Sequence, residues 1–199
     1  MRSSTSPDFE RRCRHCWLQR DYCLCAEVPR VETQTRIVIL RHVLEYWRSS
    51  NTARIAMLAL GNAELHEYAS PDGQLEESIF LRPGTWLLFP GASQHEPPTE
   101  VPKQLIVVDG SWSQTRRMVQ RFPPLRRLPR LSLPEPAHAR RRLRQGQLPD
   151  ERSTLEAIAD AVGLLESAER GGVLHALHDL FVERVLAVRQ GGGGSRLSQ

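Results

Sequence analysis

Two groups of residues have the types and spacing to do chemistry. In the first, Asp109-Gly110-Ser111 follows at once on the apolar run Leu105-Ile106-Val107-Val108. A carboxylate there can accept or direct a proton. Gly110 lets backbone approach a ligand closely, and Ser111 can cap a helix whose free N–H groups favour an anionic group. The same three residues also make an ordinary turn and cap, and Trp112 reads equally as core or as a stacking ring. The second group is Cys13, Cys16, Cys23 and Cys25. Cys13-x-x-Cys16 is a knuckle spacing that puts two thiolates on one metal, and Cys23-Leu24-Cys25, though tighter, can deliver two more. Zinc takes four such ligands tetrahedrally, and a full thiolate set leaves no position open for water, so the expected site is structural. Two disulfides are the alternative, disfavoured in a chain without a signal sequence. His15 lies between the first two cysteines, but four thiols make it unnecessary. His42 and Glu45 form a further pair, too few for a second metal, and His42 alone reads as a structural histidine.

These groups need a frame. The run 105–108 reads as a buried strand, and the polar segment after it reads as a helix that stops at Phe122-Pro123-Pro124. In open α/β sheets, ligands settle at the carboxyl ends of the strands, where Asp109 stands. Thr35–Leu40 reads as the first main strand. Asn51-Thr52 caps a helix over Ala53–Leu60, closed by Gly61. Ala63–Ala69 reads as a short strand and Pro71-Asp72-Gly73 as a turn. Thr85–Phe89 reads as a buried strand ending in Pro90-Gly91, either a second wall of a ligand site or a routine strand end. Ser93–Pro102 reads as a surface loop. Leu128–Leu133 reads as a strand placed at an edge by Pro129, followed by a long arginine-rich loop over Pro134–Pro149. Ser153-x-x-Glu156 is a capping box, which by itself explains both residues. A helix follows with Leu155, Ile158, Ala159, Val162 and Leu165 at helical spacing. Gly171-Gly172 is expected to break it, leaving Val173–Arg189 as the last helix. The glycines from Gly191 read as a flexible tail.

With 199 residues, the chain is long enough for one sizeable domain and a small appendage. No apolar run approaches membrane-spanning length and the N-terminus has no apolar signal core, so the expected compartment is the cytoplasm. The formal charge is +4, and Lys103 is the only lysine. Arginines crowd after the central motif (Arg116, Arg117, Arg121, Arg126, Arg127, Arg130) and again at Arg140, Arg141, Arg142 and Arg144. Such clustering suits a polyanion such as RNA, or a set of solvated charges.

Asp109-Gly110-Ser111-Trp112 with its basic helix resembles the Asp-x-Thr-Trp signature of the DTW-domain family, with Ser111 in place of the usual Thr. The cysteine cluster, His42-x-x-Glu45 with Asn51-Thr52, Leu88-Phe89-Pro90-Gly91 and Ser153-Thr154-Leu155-Glu156-Ala157 extend the resemblance, in order, from about Cys13 to Arg189. It implies an α/β fold: a mostly parallel sheet flanked by helices, SPOUT-like with a C-terminal trefoil knot, plus a small N-terminal zinc knuckle. It divides the chain into a flexible start (1–12), the knuckle (13–30), a catalytic domain (31–189) and a flexible tail (190–199). It also implies transfer of the 3-amino-3-carboxypropyl group of S-adenosylmethionine to N3 of a uridine in tRNA. Asp109, Ser111 and Trp112 are then the catalytic candidates, Asp109 acting either on the N3 proton or on the amino group of the donor. Leu88, Pro90, Gly91, Asp109, Gly110, Ser111, Ser153 and Thr154 would hold S-adenosylmethionine. RNA would meet His42, Arg116, Arg117, Arg142 and Arg144, with Zn2+ on Cys13, Cys16, Cys23 and Cys25. Two rivals stand beside this expectation: a methyltransferase of similar fold, and a zinc-bearing RNA-binding module without catalysis.

Overall fold

Alternation along two central strands sets the layers. Side chains on a strand point alternately to opposite faces. In β1 (Arg36–His42), Ile37 and Ile39 belong to one apolar cluster, Val38 and Leu40 to the other. In β4 (Gln104–Asp109), Leu105 and Val107 join the first cluster and Ile106 the second. With both faces covered, such strands must be nearly continuous in apolar residues, which is how they read in the sequence. The computed structural model describes residues 9–70, 75–91, 100–136, 143 and 151–191.

Five strands form one sheet: β1, β2 (Ala63–Tyr68), β3 (Thr85–Leu88), β4 and the two-residue β5 (Arg130–Leu131). Their spatial order is β2-β1-β4-β3-β5, and every pairing is parallel. One face carries α1 (Thr52–Ala59), α4 (Thr154–Leu165), α5 (Ala168–Gly191) and the cysteine segment. The other carries α2 (Trp112–Arg121), α3 (Pro123–Arg127) and the turn Glu77–Leu81. The chain is therefore a three-layer α/β unit. The cysteine segment is no loose appendage, because Cys16, Leu18 and Leu24 are buried in the same cluster as α5. Among the described residues, no helix is long and apolar enough to cross a membrane.

Three expectations need correction. The strand foreseen over Leu128–Leu133 contracts to Arg130–Leu131, at the sheet edge as expected. Pro123 and Pro124 do not simply end α2. They open α3, because proline suits the first helical positions, where no N–H is needed. The largest correction concerns Gly171-Gly172, which lies inside α5; the helices part at Glu166 and Ser167 instead. A Cβ built on Gly171 would sit 2.8 Å from the Ala159 carbonyl oxygen and 2.8 Å from Gly163 Cα. Glycine is there so that α4 and α5 can touch backbone to backbone. The turn expected over 71–73, most of the loop over 93–102 and nearly all of the arginine-rich loop lie outside the described residues.

Helix α4 is fastened at both ends. Thr154 at its start bonds Asp109 at the carboxyl end of β4. Glu166, just past its last turn, accepts hydrogen bonds from the backbone N–H groups of Gln34 (3.1 Å) and Thr35 (2.8 Å), at the opposite end of the sheet beside the start of β1.

Candidate active site and cysteine cluster

Neighbouring strands β1 and β4 send the helices that follow them to opposite faces of the sheet. A crevice opens at such a division, at the carboxyl ends of the strands. Asp109 closes β4 there. Asn51, the N-cap of α1, donates from its side-chain nitrogen to one carboxylate oxygen at 2.7 Å. Thr154, in the first turn of α4, donates from its hydroxyl to the other at 2.5 Å. Asn51 meanwhile caps α1 by accepting from Arg54 N at 3.0 Å. One carboxylate thus joins the ends of three elements that are remote in sequence. Asp109 is only 5% exposed. Burial pushes its pKa above the usual aspartate value of 3.8, against the Thr154 and Asn51 hydrogen bonds; Glu45 adds to the rise and Arg41 opposes it.

Two cavities adjoin at this point. The first, about 320 Å³, is walled by Asp109, Ser111, Glu45, Glu151, Glu156 and His178 among others. The second, about 450 Å³, runs between the ends of β3 and β5 and the start of α4, with Leu88, Phe89, Pro90, Gly91, Leu131 and Ala157 on its walls. Gly110, Trp112, Arg152, Ser153 and Thr154 line both. Small-molecule sites commonly measure about 300–1,000 Å³, so the pair suits a nucleoside-sized ligand reaching from one into the other. Trp112 is half-exposed rather than core, 6.4 Å from the Phe89 ring and with Arg116 5.8 Å over its face.

The helix N-termini differ from expectation in one respect. Both α2 and α4 carry complete capping boxes. The Ser111 N–H is taken by the Gln114 side chain at 2.6 Å and the Ser153 N–H by Glu156 at 2.8 Å. Both amides are satisfied within their own helices; the Ser153–Glu156 box was expected from the sequence, the Ser111–Gln114 box was not.

The structure brings together Leu88, Pro90, Gly91, Asp109, Gly110, Ser111, Trp112, Ser153 and Thr154 around the two cavities. His42 is not among them. Its Nδ1 accepts from Leu44 N at 3.2 Å and its ring lies 6.1 Å from Tyr68. Glu45 does reach the first cavity, buried and paired with Arg48 at 3.0 Å. Arg116 and Arg117 are exposed on α2, while Arg142 and Arg144 lie outside the described residues. Several site groups carried no signal of their own. Asn51 announced itself only as a cap, Glu156 only as half of a capping box, and His178 only as one of several polar residues in an amphipathic helix. Tyr46 and Trp47, exposed near the first cavity, stack edge to face at 4.3 Å, and Arg41 lies 4.9 Å over the Tyr46 ring.

The four cysteines converge as their spacing suggested. All four sulfurs lie within 4.8 Å of one another, and all are free thiols. Cys13 and Cys25 are 3.6 Å apart, Cys16 and Cys23 3.8 Å. Four sulfurs at a zinc–sulfur distance of about 2.3 Å would stand about 3.8 Å apart at tetrahedral corners, so the donor set fits that ion. Burial raises the Cys13 pKa, but N–H donors from Cys16 and His15 and the neighbouring thiols bring it to about 6, while burial and the neighbouring thiols push Cys16 and Cys25 up, so without an ion the protons are shared unequally over the four sulfurs. The turn is built by Cys13 N–H to Leu18 O (2.8 Å) and Trp17 N–H to Cys13 O (3.0 Å), with Trp17 at φ 65°. His15 is exposed and outside the set. Leu18 and Leu24 anchor the segment in the core.

Comparison with known proteins adds sequence-level findings. A family model described as DTW domain matches residues 10–186. The tRNA-uridine aminocarboxypropyltransferase 2 of Drosophila melanogaster is similar, 28% identical over 193 residues, covering 89% of this chain and 76% of that protein. No solved structure matches.

Proposed function

The chain belongs to the DTW domain family, and on that premise we propose that it is a tRNA-uridine aminocarboxypropyltransferase with S-adenosylmethionine as donor. One observation carries the reading: a buried carboxylate, held by two hydrogen bonds, lines the first of two adjoining cavities at the carboxyl end of a parallel sheet. The donor supplies an electrophilic methylene carbon beside a cationic sulfur; the N3–C bond forms as that C–S bond breaks, N3 loses its proton, and methylthioadenosine leaves.

The protein's part is orientation and proton handling. Which carbon is transferred depends on which one is aligned with the nucleophile, so positioning decides between this reaction and methylation. The second cavity, with Leu88, Pro90, Gly91 and the backbone of Gly110, would seat the adenosyl end. The first would admit the uracil. Uridine N3 becomes a nucleophile only after losing its proton. Asp109 is the group to accept or direct it, because burial makes its carboxylate a stronger base than one in water. Each oxygen accepts one hydrogen bond and has a lone pair left. Thr154 faces both cavities and can hold the carboxylate in register. Ser111 acts mainly by fixing α2, and Trp112 offers its half-exposed face for stacking.

On the RNA side, Arg116 and Arg117 would contact phosphates, joined by Arg142 and Arg144. The aromatic pair Tyr46 and Trp47 next to His42 adds a stacking surface. Residues 13–30 form the zinc-binding knuckle in this reading, and 31–189 the catalytic domain. The SPOUT-like trefoil knot that the family resemblance implies, and a cytoplasmic setting, belong to the same proposal.

The test is incubation of purified protein with unmodified tRNA and S-adenosylmethionine, followed by nucleoside mass spectrometry. An aminocarboxypropyl gain on uridine with release of methylthioadenosine is expected. A methyl gain with S-adenosylhomocysteine would replace the proposal with a methyltransferase, and tRNA binding without any transfer would replace it with a binding module.

A further inference from the structure

Among the described residues, the walls of the two cavities contain one arginine and no lysine. That residue is Arg152, and it lines both. Four acids stand in the first cavity, Glu45, Asp109, Glu151 and Glu156, and Arg152 is the one permanent cation among its described lining residues; Glu45 pairs with Arg48, outside that lining. The helix starts cannot take that role with the Ser111 and Ser153 amides, which their capping boxes already occupy. Arg152 is also fixed. Its Nε donates to Asp160 at 2.6 Å, and its Nη2 donates to the Pro134 carbonyl. Asp160 is held from behind by His175 Nε2 at 2.7 Å, on α5. Among the described residues, Nη1 makes no hydrogen bond. The side chain is only 12% exposed.

We propose that Arg152 binds the carboxylate of the donor's amino-acid end, with Asp160 and His175 as positioning residues that hold the guanidinium at the boundary of the two cavities. The proposal rests on the functional reading above and deepens it by assigning a carboxylate subsite. A donor of this class carries a sulfonium, an ammonium and a carboxylate. The acid-rich cavity suits the two cations, and the carboxylate needs a cationic partner. A guanidinium with two donors already committed is oriented before the ligand arrives, so little freedom is lost on binding. Fixing the carboxylate at the boundary also fixes the three-carbon chain that is to be transferred, and with it the methylene that faces the base.

Two ligands separate this role from a merely structural one. S-adenosylmethionine has the carboxylate; methylthioadenosine has the same adenosyl and sulfur but lacks the amino-acid group. Calorimetric titration of both into wild type, Arg152→Gln, Arg152→Lys and Asp160→Asn is the experiment. Arg152→Gln is expected to weaken S-adenosylmethionine by about 10–100-fold, the usual weight of a hydrogen bond to a charged group, and to leave methylthioadenosine within about twofold. Arg152→Lys keeps the charge without the planar fork and should fall between. Asp160→Asn should lower the ratio of the two affinities in the same direction, by less. Equal losses for both ligands would make Arg152 a wall residue and overturn the proposal, as would no loss for either. Wild-type protein that binds neither ligand would instead bring down the functional reading on which the proposal stands.

Discussion

Gly171→Ala and Gly172→Ala are neighbouring substitutions with opposite expected outcomes. Both replace glycine inside α5 and gain the same helix propensity, about 1 kcal/mol. A Cβ on Gly172 has no heavy atom within 4 Å, so Gly172→Ala should keep the whole gain. A Cβ on Gly171 meets Ala159 O at 2.8 Å, Gly163 Cα at 2.8 Å and Gly163 N at 3.0 Å. All three are backbone atoms, which cannot rotate away, so α4 and α5 must separate. Overpacking of this kind costs about 1–3 kcal/mol. Because the propensity gain cancels between the variants, that packing cost is their expected difference. For a chain of this length, about 2–4 °C of melting temperature accompanies each kcal/mol, so the two midpoints should stand about 2–12 °C apart, with Gly172→Ala the higher. Thermal unfolding, checked by urea titration with an unchanged slope, measures it. Coincident midpoints, or Gly171→Ala the more stable, would refute the backbone-to-backbone contact and the reason given for an unbroken α5.

Asp109→Asn should reduce aminocarboxypropyl transfer by about 10²–10⁴-fold, the usual weight of a positioned proton acceptor, with S-adenosylmethionine binding measured separately; undiminished transfer would remove Asp109 from the chemistry. Zinc is expected at one ion per chain by elemental analysis, and its removal by a chelator should lower the melting temperature, because Cys16 is buried in the main core; purified protein free of metal and indifferent to chelation would end the zinc reading. Asp160 gives an acid-side prediction. Burial alone would raise its pKa, but His175 and Arg152 hold it below the usual 3.8. Its contribution to stability is therefore complete above that value and lost as pH falls through the lowered folded pKa. The stability gap between wild type and Asp160→Asn should be open at neutral pH and close below about pH 4, its ordinary range. Asp109 has the opposite sign. Its raised pKa makes burial of the charge a cost at neutral pH, relieved as pH falls toward 3.8.

Much of the frame was legible because it obeys local rules. Val107 and Val108 within a run of apolar residues can only be a covered strand, and Asn51, Ser111 and Ser153 cap the helices that their types announce. The cysteine cluster was legible for a similar reason, since knuckle spacing is a statement about sulfur geometry. Gly171 was misread because local propensity describes a helix alone in water. Its reason for being glycine lies in α4, at a residue eight positions earlier that only folding brings alongside. The clasp on Asp109 was invisible on the same ground. Nothing in a cap residue tells that its amide nitrogen will meet a carboxylate 58 positions away. His178 was hidden among the apolar residues of one face of α5, and Arg152 by the many arginines around it, of which, among the described residues, it alone lines both cavities.

Helix α4 sets a length inside the molecule. Its 12 residues span about 18 Å at 1.5 Å per residue, the interval between a carboxylate at one end of the sheet and a pair of amides at the other. Removing one residue would shorten it by about 1.5 Å and turn one end by about 100° relative to the other, so Thr154 and Glu166 could no longer both reach their partners. No residue of α4 is fully exposed, and its residue count is constrained as tightly as its side chains. A single insertion or deletion there would detune the crevice without touching any group that lines it.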